Sequence, residues 1–107
     1  MKAKLIALGL AAAMACGSAS AVTIMSGRSC GEWIKDRAEL KLKDAVNSAW
    51  LVGYLSGMAV ESEKDLLSSI DAESIYLWMD NYCRANPLKR VSTGGWVLFE
   101  ELAKGKK

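Results

Sequence analysis

Cys16, Cys30 and Cys83 are the residues of this chain best equipped for chemistry, and there is no histidine to work beside them. Without an imidazole, histidine-based activation of a serine or cysteine nucleophile is excluded. Cys30 and Cys83 stand too far apart in sequence to form a C-x-x-C redox pair. Two cysteines without histidine also fall short of the four N or S ligands that a structural zinc site takes. Glu61, Glu63 and Asp65 alternate in the manner of calcium ligands, but the glycine turn and closing glutamate of an EF-hand loop are missing. They read as a solvated acidic loop. Glu100 and Glu101 are adjacent on a helix, so their carboxylates diverge and cannot share a substrate. Serine and lysine are plentiful, yet no pair has a signature spacing. The expectation is a protein that is not an enzyme and holds no metal or cofactor.

The cysteines make more sense as a covalent frame. Residues 1–21 read as a cleaved signal peptide: Lys2 and Lys4 form the charged region, Leu5 to Ala15 the apolar run, and Ala19-Ser20-Ala21 the cleavage site. That run is shorter than the ~20 apolar residues a membrane-spanning helix takes. A lipid-attachment site at Cys16 is the competing reading, and Ala13 is a poor residue three positions before such a cysteine. Simple cleavage is preferred, with Cys16 leaving in the leader. The mature chain, 22–107, would then be periplasmic, where a pair of cysteines oxidises. A Cys30–Cys83 bridge would close a loop of about 54 residues, for which the chain-entropy model gives ~4 kcal/mol.

Charge excludes other partners. Of the 14 basic residues, Lys2 and Lys4 lie in the leader, which leaves 12 against 12 acidic ones. Nothing there points to nucleic acid or an anionic membrane surface. With no histidine, the charge changes steeply only near the carboxylate values of ~4.

The elements that must position these residues are helical throughout. Ser29-Cys30-Gly31-Glu32 is a capping box that starts a first helix, with Cys30, Trp33 and Ile34 on one face. The charged run Lys35 to Asp44 is its solvated end or a following bend. Residues 45–60 are apolar nearly all round, which predicts a central, buried helix. Glu61 to Ser69 reads as a loop. Asp71 caps a third helix with Ile70 and Ile75 as a hydrophobic staple, and Ile75, Trp78, Met79, Tyr82 and Cys83 form its buried face. The helix ends near Asn86-Pro87. A fourth helix starts either at Asn86, with Pro87 in its first turn, or later, near Ser92. Leu88, Val91, Gly95, Leu98 and Leu102 continue its periodicity, Gly94-Gly95 weakens it, and the tail Lys104 to Lys107 is frayed. The fold class is all-α: one small domain, a compact bundle of three to four helices stapled by one disulfide.

Two sets of residues stand out as binding candidates. Ala49, Gly53 and Gly57 recur every fourth position beside Tyr54 and make a smooth groove, suited either to tight packing within the monomer or to an external partner. Leu77 lies opposite the third helix's buried stripe, among Glu73, Asp80 and Arg84. Val97 lies opposite the fourth helix's stripe with Trp96 on its margin. A contiguous patch of such residues would mark an interface, whereas Trp33, Trp50 and Trp78 are assigned to the core.

Gly53-Tyr54-Leu55-Ser56-Gly57, then Tyr82, Asn86-Pro87 and a helix ending Leu98…Leu102, resemble the Tai-like immunity proteins of type VI secretion. The resemblance covers most of the mature chain. It implies a disulfide-bonded periplasmic helical domain that neutralises a peptidoglycan amidase delivered by a rival cell. The layout of one early and one late cysteine is also similar to the HdeA/HdeB acid-stress chaperones, which expose apolar surface when their carboxylates are protonated. The expected function is a non-enzymatic periplasmic protein-binding module of the immunity or inhibitor type, dimeric through its apolar helices. An acid-activated chaperone or an accessory subunit of an envelope complex is the alternative.

Overall fold

A computed structural model of the protein describes residues 22–25 and 27–105. Residues 1–21, read above as a leader and including Cys16, and the last two lysines lie outside the described residues. Among the described residues four helices follow one another: α1 Cys30–Glu39, α2 Leu42–Ser62, α3 Ala72–Ala85 and α4 Val91–Gly105. Among the described residues there is no strand, and a single antiparallel bridge pairs Ser29 with Arg90.

Local chemistry sets the start of α1 and both ends of α3 where the sequence places them, whereas α2 runs from Leu42 to Ser62, past the expected 45–60 at both ends and through Glu61 and Ser62 of the segment read as a loop. The Ser29 hydroxyl accepts from the Glu32 backbone N–H at 3.1 Å, and the Glu32 carboxylate accepts from the Ser29 N–H at 3.2 Å. Asp71 accepts from the Ser74 N–H at 2.7 Å and opens α3. Asn86 closes α3, its amide donating to the Tyr82 carbonyl at 2.9 Å. It therefore does not begin α4, which takes the later start. Leu88 sits in the intervening turn and is 97% exposed, so it has no part in the α4 stripe. The helix also runs on through Lys104 to Gly105, further than a tail frayed from Lys104.

The centre of the molecule is the antiparallel pairing of α1 with α3. Cys30 and Cys83 are disulfide-bonded with their Cα atoms 4.8 Å apart. One turn further along, the Trp33 indole donates to Asp80 Oδ1 at 2.7 Å. Arg37 then grips both Asp80 oxygens, Nε to Oδ1 at 2.9 Å and Nη2 to Oδ2 at 3.0 Å. Its guanidinium also lies 5.7 Å from the centre of the Tyr76 ring. Such bidentate, charge-assisted pairs are among the strongest hydrogen bonds a side chain makes. Asp80 is buried, so the expectation that it shares an exposed face with Leu77 is corrected.

The charged run Lys35 to Asp44, which covers the second half of α1 and the start of α2, is not merely solvated either. Asp36 is 3% exposed and accepts from Asn47 of α2 at 2.8 Å and from Arg28 at 3.1 Å. Arg28 thereby ties the segment before α1 to α1, while its own carbonyl accepts from the Val91 N–H at the start of α4. The Asn47 hydrogen bond, helped by Arg28 and opposed by burial, holds the Asp36 carboxyl below the usual carboxylate range. Around these polar contacts the core is formed by Trp33, Leu51, Leu55, Met79, Val91 and Leu98, with Leu66 plugging it from the α2–α3 loop.

Replacing Asp80 by alanine leaves a buried indole N–H and a guanidinium without their acceptor. The expected cost is ~3–5 kcal/mol, seen as a lower denaturant midpoint of the oxidised protein.

Candidate functional site

Helix α2 has 21 residues and is about 31 Å long, against about 15 Å for α1 and 22 Å for α4. Its neighbours are too short to wrap it. Leu51 and Leu55 face inward and are buried, but Ala49, Gly53, Ser56 and Gly57 face solvent. Val46 and Val60 are 58% and 79% exposed. The expected central, buried helix is thus corrected: the residues are apolar nearly all round, yet only one face meets the core.

The small-residue groove is open. A Cβ placed on Gly53 or Gly57 would meet nothing within 4 Å, so tight packing within the monomer does not explain these glycines. That role belongs to the pair read as weakening α4. A Cβ on Gly95 would come 2.9 Å from Tyr54 Cε2, and one on Gly94 would come 2.7 Å from Met79 Sδ and 2.8 Å from Tyr82 Cδ1. Gly95 lets α4 approach α2, and Gly94 lets it approach α3.

Beside the stripe, α2 and α4 enclose a hollow of about 440 Å³. Gly53, Gly57 and Met58 line one side, Tyr54 and Phe99 the interior, and Trp96 the opposite rim; Glu61 and Ser62 stand at one end. The walls are braced. Tyr54 stacks on Trp50 with ring centres 5.0 Å apart, and the Trp50 indole donates to the Met25 carbonyl at 3.0 Å. Burial pushes the Tyr54 phenol up from its ordinary value, so it stays protonated well above neutrality. Trp96 is 54% exposed and separates this hollow from a smaller one, of about 270 Å³, that also touches Ile24 and Thr93.

Of the residues singled out in the sequence, the structure brings Gly53, Tyr54, Gly57 and Trp96 together. Ala49 shares the open face of α2 but does not line the hollow. Leu77 and Val97 are exposed, at 58% and 40%, and neither lines it. Val97 lies between Gly94 and Glu101 on the α4 flank that meets α3, where Glu101 accepts from the Trp78 indole at 2.8 Å. Trp33 is core as expected; Trp50 and Trp78 are only partly buried. Met58 and Phe99 were not singled out. Their signal is positional, since each lies a turn beyond a residue that was, Tyr54 and Trp96 respectively.

The hollow is apolar walled, with a carboxylate at one end and no convergent set of catalytic groups in its lining. Among the described residues no cluster of His, Cys, Asp and Glu could hold a metal ion. No helix among them is long and apolar enough to cross a membrane. The chain matches no protein-family model, no curated protein and no solved structure. What the arrangement can do is receive an apolar or aromatic side chain.

The two pairs of glycines should respond oppositely to alanine. Gly53→Ala is expected to be neutral or to stabilise by up to ~1 kcal/mol through helix propensity. Gly95→Ala is expected to lose ~1–3 kcal/mol through the clash with Tyr54. Thermal unfolding of the two variants beside the parent protein separates them.

Proposed function

We propose that the protein is a non-enzymatic periplasmic protein-binding module of the immunity or inhibitor type. The observation that carries this is the open α2–α4 groove, where two glycines face an exposed tryptophan across a braced aromatic floor. Aromatic residues in desolvated pockets supply much of the energy at protein interfaces, and the hollow offers an apolar pocket floored by Tyr54 and Phe99 and rimmed by Trp96. The resemblance of Gly53 to Gly57 and Asn86-Pro87 to the Tai-like proteins supplies the partner class, a peptidoglycan amidase. The reading needs no chemistry from the chain. The partner's own surface residue would enter the groove, and its active site would be blocked by the bulk of the bound domain.

A second reading, the acid-activated chaperone, is favoured by one feature. Several structural contacts depend on ionised carboxylates: Asp36 at its Asn47 and Arg28 bonds, Glu32 in its capping box with Ser29, and Asp71 at its Ser74 cap. Hydrogen bonds from Asn47, Ser29 and Ser74 respectively hold all three below their ordinary values. A carboxyl with a lowered folded-state value contributes its stability above its unfolded value of ~4 and loses it as pH falls through the folded value.

The binding reading is tested with purified amidase and the oxidised protein mixed in stoichiometric amounts. Inhibition of muropeptide cleavage that is lost in Trp96→Ala supports it; full amidase activity across a panel of delivered cell-wall amidases would sink it. The acid reading has its own expectation. Thermal stability should be level from pH 8 to pH 5, fall below about pH 4, and fall less in Asp36→Asn. If the protein gives no protection to an aggregating client at about pH 2–3, the chaperone reading fails.

A further inference from the structure

We infer that the hollow between α2 and α4 takes an arginine side chain of the protein partner, with its guanidinium held between Trp96 and Glu61. This rests on reading the hollow as a recognition surface, and it names the group that enters. The walls suit the stem. Gly53 and Gly57 line one side, and a Cβ on either would meet nothing within 4 Å, so they form a bare track. Met58 beside them is unbranched and adapts to what lies against it. From Gly57 to Glu61 is about 6 Å along the helix axis. An arginine stem covers that distance with methylene groups that bury against apolar walls while the head stays polar.

The end of the hollow sets the charge of the head. Glu61 and Ser62 stand there, and among the described residues Glu61 belongs to no ion pair. The same place is the carboxyl end of α2, whose last turn has no basic residue. Its carbonyl groups add partial negative charge to that of Glu61. A leucine or phenylalanine filling the hollow would take water from this carboxylate without pairing it, which is unfavourable. An acidic side chain would be repelled. A cation on an apolar stem satisfies walls and end together.

Trp96 decides between the two cationic side chains. It forms the rim opposite the glycines and is 54% exposed. Among the described residues Trp33, Trp50 and Trp78 each donate the indole N–H to an oxygen, and Trp96 donates to none. A guanidinium lies flat on an indole and gives a carboxylate two N–H groups at once, whereas the lysine ammonium is a strongly hydrated point charge. The fold already makes this arrangement internally. Arg37 grips both oxygens of Asp80 and lies 6.0 Å from the centre of the Trp33 ring. Trp96 and Glu61 offer the same two groups to a guanidinium from outside.

Capped Ala-X-Ala tripeptides, with arginine, lysine, leucine or glutamate at X, test this on the oxidised protein without any amidase. The readout is the NMR signal of each indole N–H, with that of Trp96 assigned by its loss in Trp96→Ala. The arginine peptide is expected to shift the Trp96 signal and leave that of the core Trp33 in place. It should bind about threefold to tenfold more tightly than the leucine peptide. Glu61→Gln should remove that advantage, and Glu61→Lys should pass it to the glutamate peptide. A leucine or lysine peptide that binds as well as the arginine one overturns the inference and leaves the hollow standing as a recognition surface. A Trp96 signal that no peptide moves at up to about 20 mM overturns it as well, and amidase inhibition then decides the binding reading separately.

Discussion

Everything in this fold hangs on Asp80. A buried carboxylate is tolerable only when its charge is matched and its lone pairs are filled. Here one indole and one guanidinium do both, at three hydrogen bonds of 2.7–3.0 Å. The consequence is a fixed register between α1 and α3, with the disulfide a turn away reinforcing the same alignment. Once that pair is aligned, Asp36 on the next side of α1 catches Asn47 and sets the position of α2. α4 then packs against α2 and α3 through its two glycines. Polar contacts choose the arrangement, and the apolar core supplies most of the driving force.

Some of this was legible from residue types alone. The capping box at Ser29, the Asp71 cap, the helical class and the Cys30–Cys83 bridge rest on local spacing or on cysteine count, which need no knowledge of neighbours. The role of Asp80 was not legible. It stands between Met79 and Asn81 on a helix whose stripe is otherwise apolar, and only the approach of Arg37 and Trp33 makes burying it favourable. Asp36 was hidden by the same logic, as one acidic residue in a run of charges.

The glycines show where such reading stops. Sequence spacing left the Gly53 and Gly57 stripe open to either use, packing within the monomer or an external partner, and read Gly94-Gly95 as a weak point. In the fold the close packing falls to Gly94 and Gly95. A glycine on a helix says that something large is unwelcome there, or that nothing is needed, and the side chain opposite decides which. Tyr54 and Met79 decide it for α4. For α2 the length mismatch with its neighbours leaves the face uncovered. Of the residues named in the sequence, Gly53, Tyr54, Gly57 and Trp96 line one hollow.

The disulfide has a consequence for how the chain can be made. It joins the first residue of α1 to the end of α3 across 53 positions, so α1, α2 and α3 form a covalent ring and α4 hangs outside it. A chain emerging from its amino end cannot close that ring until α1, α2 and most of α3 are out. The segment before α1, however, bonds to the start of α4 through Arg28 and Val91. The segment before α1 and the start of α4 are thus direct neighbours, and the bundle can be finished only once its last helix has joined it.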